Sequence, residues 1–95
     1  MQYVVHAYDH TDPDALDRRM AARPAHFEYV RQLKEKGEFI LGGALLDPDG
    51  KMIGSMLLLN LESKDRLDDY LQNDPYIVQG VWETIDVKPF RQASV

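Results

Sequence analysis

Apolar positions change their period several times along this chain. From Gln2 to Asp9 tyrosine and valine dominate, which predicts a first strand. Asp12-Pro13 then reads as a helix N-cap followed by proline at the first helical position, where its missing N–H costs nothing, and opens a short helix through about Ala22. Arg23-Pro24 predicts an interruption, because proline disfavours helical geometry in the residue before it and can itself start a new helix. From Pro24 to Lys36, Phe27, Val30 and Leu33 recur at near-helical spacing, with Arg31, Gln32, Lys34 and Glu35 around the other side, and Gly37 ends the element.

Glu38 to Leu46 and Met52 to Leu61 predict two strands joined by the turn Asp47-Pro48-Asp49-Gly50, a hairpin. Ser63 caps a helix on which Leu67, Tyr70 and Leu71 share a face. Asp74-Pro75 repeats the cap-and-proline signal before a short helical turn that Gly80 ends. Val81 to Phe90 is the last strand, with Val81, Ile85 and Val87 on one face and Trp82, Thr84, Asp86 and Lys88 on the other. This order suits an α+β fold, a ferredoxin-like split βαβ sandwich in which a four-stranded antiparallel sheet carries helices on one face, as a single domain over residues 1–95.

The middle hairpin is apolar on both sides. Simple alternation sends Phe39, Leu41, Leu45, Ile53, Leu57 and Leu59 one way and Ile40, Ala44, Leu46, Met56 and Leu58 the other. Helices cover only one face, so the open face is expected to pack on the same face of a second copy, giving a homodimer.

Charge and composition narrow the function. The net charge of −5, with basic residues scattered, offers no footprint for nucleic acid. Without cysteine there are no disulfides, thiolate metal sites or cysteine nucleophiles. The start, Met1 to Val5, lacks the pattern of a secretory signal, and the apolar run Met56 to Leu59 is far short of the ~20 residues of a membrane span, so a cytoplasmic protein without membrane contact is expected. No glycine-rich phosphate loop or dinucleotide fingerprint occurs, and no cofactor is expected. His6, Asp9 and His10 lie close in sequence, but strand alternation separates His6 from Asp9, so no metal site is expected either.

Histidine is the side chain best suited to proton transfer near neutral pH. His26 falls in the first turn of the predicted second helix, on the same inward side as Val30 and Leu33, where burial and the helix dipole favour a neutral ring. It is either a core histidine satisfied by a backbone carbonyl or a proton carrier. Asp74 is an N-cap that can also orient an imidazole through its second oxygen. Tyr76 adds a phenol to the same neighbourhood or packs as a half-buried ring, and Arg23 either anchors an anionic ligand or caps carbonyls. Gly42-Gly43 and Gly54-Ser55 interrupt strands, which fits a ligand close to the backbone at Gly43, a bulge or tight packing. Ser55 has no nucleophile-elbow context and suits hydrogen bonding to a substrate.

Taken in order, Tyr3-Val4-Val5, Arg23-Pro24-Ala25-His26, Gly42-Gly43 after Gly37-Glu38, Gly54-Ser55, Asp74-Pro75-Tyr76 with Gly80, and Val87-Lys88-Pro89-Phe90 resemble the YCII-related (YciI-like) family over almost the whole chain. The resemblance implies a ferredoxin-like fold that dimerises as an α+β barrel, with a histidine–aspartate catalytic pair at His26 and Asp74. It also implies kinship with a dehydrochlorinase of a chlorinated hydroxyquinol, although the short Asp47 to Gly50 turn differs from the longer hairpin loop of some members.

Two functions follow as expectations. The first is a small cofactor-independent enzyme of lyase, dehalogenase or isomerase type, acting on a small metabolite, aromatic ones included. In it His26 and Asp74 are catalytic, and Arg23, Gly43, Ser55 and Tyr76 bind substrate. The second is a non-catalytic dimeric module that binds a small molecule or a partner.

Overall fold

Four strands and three helices follow one another along residues 1–95 of the computed structural model: β1 (Gln2–Asp9), α1 (Ala15–Glu35), β2 (Phe39–Leu46), β3 (Met52–Asn60), α2 (Lys64–Asn73), α3 (Pro75–Val78) and β4 (Trp82–Phe90). The sheet order is β2-β3-β1-β4, antiparallel at every junction. This is the expected α+β split βαβ arrangement. Tyr3, Val5, Ala7, Leu57 and Leu59 on the sheet pack with Ala22 and Leu33 of α1 and with Leu67, Tyr70 and Tyr76 of the second helical stretch. Ser63 caps α2 by accepting from the Arg66 amide at 3.1 Å, as its sequence signal predicts.

The first helix differs from the expectation. Pro24 does not divide it; α1 runs unbroken for 21 residues. A proline inside a helix deletes one backbone bond, here the one to the Met20 carbonyl. Pro24 and Met20 are both exposed, so the orphaned carbonyl lies on the side where water can serve it. Asp12 is not the N-cap either. It closes a turn whose carbonyl accepts from Ala15 at 3.1 Å, and the helix begins after Asp14. His26 therefore sits in the middle of a helix, and the helix-dipole reasoning for a first-turn histidine does not apply.

Two bulges correct the assignment of faces. Directly paired residues of antiparallel strands point the same way. A register shift between Phe39 and Leu41 pairs Gly42 with Leu57 and Ala44 with Ser55, so Ala44 faces the helices while Leu41 and Leu45 face outward with Met56 and Gly54. A second shift pairs Asp9 with Trp82 and Tyr8 with Thr84, which turns Trp82 inward, where it is buried, rather than out beside Thr84. The strand glycines serve close packing in part. A Cβ on Gly54 would collide with the Ala7 carbonyl oxygen, whereas one on Gly43 would meet open space.

Candidate active site

A cavity of about 170 Å³ opens between α1 and the β2–β3 hairpin. Phe27, Val30, Phe39 and Leu57 give it an apolar wall, and Arg19, Arg23, His26, Ser55 and Tyr76 a polar end. Gly43 and Ala44 also line it. Five of the six residues expected to act on substrate thus line one cavity, and Asp74 stands behind His26.

His26 and Asp74 come from different helices, 48 residues apart, and meet at 2.7 Å between Nδ1 and Oδ1. Asp74 is fully buried and both of its oxygens are engaged: Oδ1 also takes the Tyr76 amide at 2.9 Å, and Oδ2 takes the Tyr70 hydroxyl at 2.6 Å. Capping α3 and gripping the imidazole are therefore simultaneous roles of one carboxylate. A carboxylate only accepts, so in the neutral imidazole the proton sits on Nδ1 and Nε2 is left with its lone pair. Nε2 has no protein partner and is not sealed in, since the sole buried side-chain nitrogen or oxygen without a hydrogen bond is Arg19 Nε. His26 lines the cavity, and its bare nitrogen is what the cavity can use.

Tyr76 lies flat on the imidazole, with ring centroids 3.8 Å apart and planes within 9°. Trp82 meets both rings edge-on, at 6.3 Å and 5.6 Å. The stack fixes the plane of His26 as Asp74 fixes its tautomer. Burial pushes the Tyr76 phenol up, against the pull of Arg19 and Arg23, so it stays protonated at neutral pH and can donate. Tyr70, behind the dyad, is held well above the usual range by burial first and by the adjacent Asp74 second. Arg23 is half-buried, pairs with no carboxylate and rests its guanidinium 4.8 Å from the Phe27 ring centroid. It is the uncompensated positive charge of the cavity.

Arg19, Asp9 and Tyr70 are site residues that sequence reasoning missed. Arg19 is buried and forked: Nη1 meets the Asp9 carboxylate at 3.0 and 3.2 Å, and Nη2 donates to Ser55 Oγ at 2.9 Å. Burial raises the Asp9 carboxyl above its ordinary value despite this arginine. The signal was present in the sequence, because Arg19, Arg23 and His26 stand at i, i+4 and i+7, one stripe of a continuous helix. Reading a break at Pro24 cut that stripe in two. No group of His, Asp and Glu residues is arranged to hold a metal ion, and no helix is long and apolar enough to cross a membrane.

Comparison with known proteins places the chain. The chain is 31% identical over 98 residues to the protein YciI of Escherichia coli, covering 97% of this chain and 98% of that one. It is 31% identical over 72 residues to the derivative of benzaldehyde biosynthesis cluster protein C of Emericella nidulans, covering 68% of this chain and 74% of that one. Among solved structures it superposes on 5-chloro-2-hydroxyhydroquinone dehydrochlorinase of Burkholderia phenoliruptrix, seen in complex with 2,5-dihydroxybenzoquinone, with a TM-score of 0.83 and 26% identity over 98% of this chain and 96% of that one. The family model of the YCII-related domain matches residues 1–91, and the chain belongs to that family.

Proposed function

We propose that this protein is a small cofactor-independent enzyme that moves a proton on a small, oxygenated ring. The observation that carries this reading is the 2.7 Å contact of His26 Nδ1 with a fully buried Asp74, which leaves Nε2 bare at a cavity. In that arrangement Nε2 takes a proton from the substrate, Asp74 steadies the imidazolium, and the proton returns to a second atom or to a leaving group. Return to carbon gives isomerisation; departure with a leaving anion gives elimination. General acid–base help of this kind supplies about 10²–10⁴ in rate, which suits an activated ring better than an amide bond.

The cavity supports the substrate class. Its volume of about 170 Å³ is on the scale of the ~150 Å³ that accepts one benzene ring. Apolar walls would hold the ring, and Arg23, Ser55 and Tyr76 would meet its oxygen substituents. A relative seen with a dihydroxybenzoquinone fits the same chemistry. The reading includes a homodimer through the open face of the sheet, where Leu41 is 49% exposed on the same side as Leu45 and Met56.

The test is a turnover screen of hydroxylated and halogenated monocyclic aromatics with the wild type and His26→Ala. Turnover that the substitution abolishes, with ligand affinity kept, is expected. Turnover that survives it would remove His26 from the chemistry, and binding without turnover by the wild type would make the protein a binding module.

A further inference from the structure

Ser55 is buried, lines the cavity, and its hydroxyl is already committed on one side. Arg19 Nη2 donates to Oγ at 2.9 Å and the indole Nε1 of Trp82 at 3.3 Å. A serine oxygen has two lone pairs and one proton. Both lone pairs are occupied by groups that can only donate, and the proton goes to no protein acceptor. Arg19 cannot turn away, because Asp9 holds its other terminal nitrogen through both carboxylate oxygens.

We infer that Ser55 is a fixed hydrogen-bond donor for an acceptor oxygen of the ligand, with Arg19 and Trp82 as the residues that position it. This rests on the reading of the cavity as a substrate site and adds the polarity that the site selects. A ligand N–H that offers only a proton finds no lone pair on Ser55. A phenolate, enolate or ring carbonyl finds a proton polarised by an adjacent guanidinium, the kind of donor that stabilises negative charge as it develops on oxygen. The site thus divides its labour: His26 Nε2 removes a proton, and Ser55 receives the oxygen on which the resulting charge settles.

The prediction concerns two probes of one size that differ in a single group. At a pH where the phenol is ionised, 4-nitrophenolate presents an acceptor where 4-nitroaniline presents a donor. Calorimetry with the wild type should favour the phenolate, and Ser55→Ala should weaken it about 10–100-fold while moving the aniline by less than about threefold. Trp82→Phe frees one lone pair on Ser55 and should narrow the preference by improving the aniline relative to the phenolate, an effect that loosened packing alone would not produce. Ser55→Thr keeps the hydroxyl and should keep the preference. Equal losses of both probes in Ser55→Ala, or an unchanged preference in Trp82→Phe, would overturn the donor assignment while leaving the His26 turnover test untouched. A wild type that binds the aniline as tightly as the phenolate would overturn the ligand class.

Discussion

Replacing Asp74 with asparagine removes a charge and keeps a shape, and the structure says which hydrogen bonds survive. His26 Nδ1 at 2.7 Å and the Tyr76 amide at 2.9 Å both meet Oδ1, while the Tyr70 hydroxyl meets Oδ2 at 2.6 Å. An amide oxygen in the Oδ1 position keeps both nitrogen donors, and the new NH2 then faces Tyr70, whose hydroxyl can turn to accept. The reverse orientation would aim an N–H at the Tyr76 amide and forfeit two buried bonds. The Nδ1–H tautomer is therefore expected to persist in Asp74→Asn. In the serine-protease triad the corresponding change costs about 10⁴ in kcat because the tautomer flips. Here only the charge is lost. Hydrogen bonds to a charged group contribute about 1.5–3 kcal/mol against about 0.5–1.5 for neutral pairs, so the imidazolium should lose about 1–2 kcal/mol, or roughly 5–30-fold in kcat. Nitrogen NMR of the His26 ring reads the tautomer without any substrate, and turnover reads the rate. A ring found as the Nε2–H form, or a loss near ~10⁴, would refute the orientation deduced from the shared oxygen. Asp74→Ala instead strands three buried donors and should lower stability by about 3–5 kcal/mol, a fall in Tm of roughly 15–30 °C.

Three further outcomes follow from the same coordinates. Burial holds the Asp9 carboxyl above its usual 3.8, so the stability it contributes is complete below 3.8 and declines as pH rises through the raised value. Asp9→Asn should be less stable overall, because Arg19 loses its partner, yet flatter in that acid window; urea midpoints that still decline with the wild-type slope would assign the effect to another group. Gly43→Ala, whose Cβ falls on the outer face with Met56, should leave stability within about 0.5 kcal/mol and ligand affinity unchanged, whereas Gly54→Ala, which strikes the Ala7 carbonyl, should cost about 1–3 kcal/mol in urea unfolding with ligand absent. Leu41→Lys, on the outer face, should convert a dimer to a monomer in sedimentation without lowering the monomer's stability, and a wild type that sediments as a monomer would contradict the face-to-face reading.

Much of this fold was legible because its signals are local. Asp47 to Gly50, Ser63 and Asp74-Pro75 each act within one turn of chain, and each performs the expected task. What could not be read is what local signals do not determine. Pro24 stops a helix only if its orphaned carbonyl has no other remedy, and that depends on which side of α1 faces water. The register shifts near Phe39 and Tyr8 add a single residue to a strand and invert the stretch that follows, in β2 until the shift at Leu45–Leu46 restores the phase, so Ala44, Leu41 and Trp82 were assigned to the wrong faces by strict alternation. His26 and Asp74 were found as separate candidates from helix phase and a capping motif, and the family resemblance paired them. Arg19 needed the unbroken helix to be noticed.

The polar tethers of the cavity also bear on how the molecule fails. His26 reaches 48 residues to Asp74, and Arg19 reaches 36 residues to Ser55, so each ties the β1–α1–β2 half of the chain to the β3–α2–α3–β4 half. Neither half carries a reactive centre alone. Any excursion that lifts α1 off both the sheet and the second helical stretch takes the acceptor from His26 and the polarising cation from Ser55 in the same movement, while the sheet, knitted through β1, stays whole. On warming, catalysis should therefore vanish at a lower temperature than the strand signal. Under the proposed function, turnover becomes a gauge of how firmly the two halves are closed on one another.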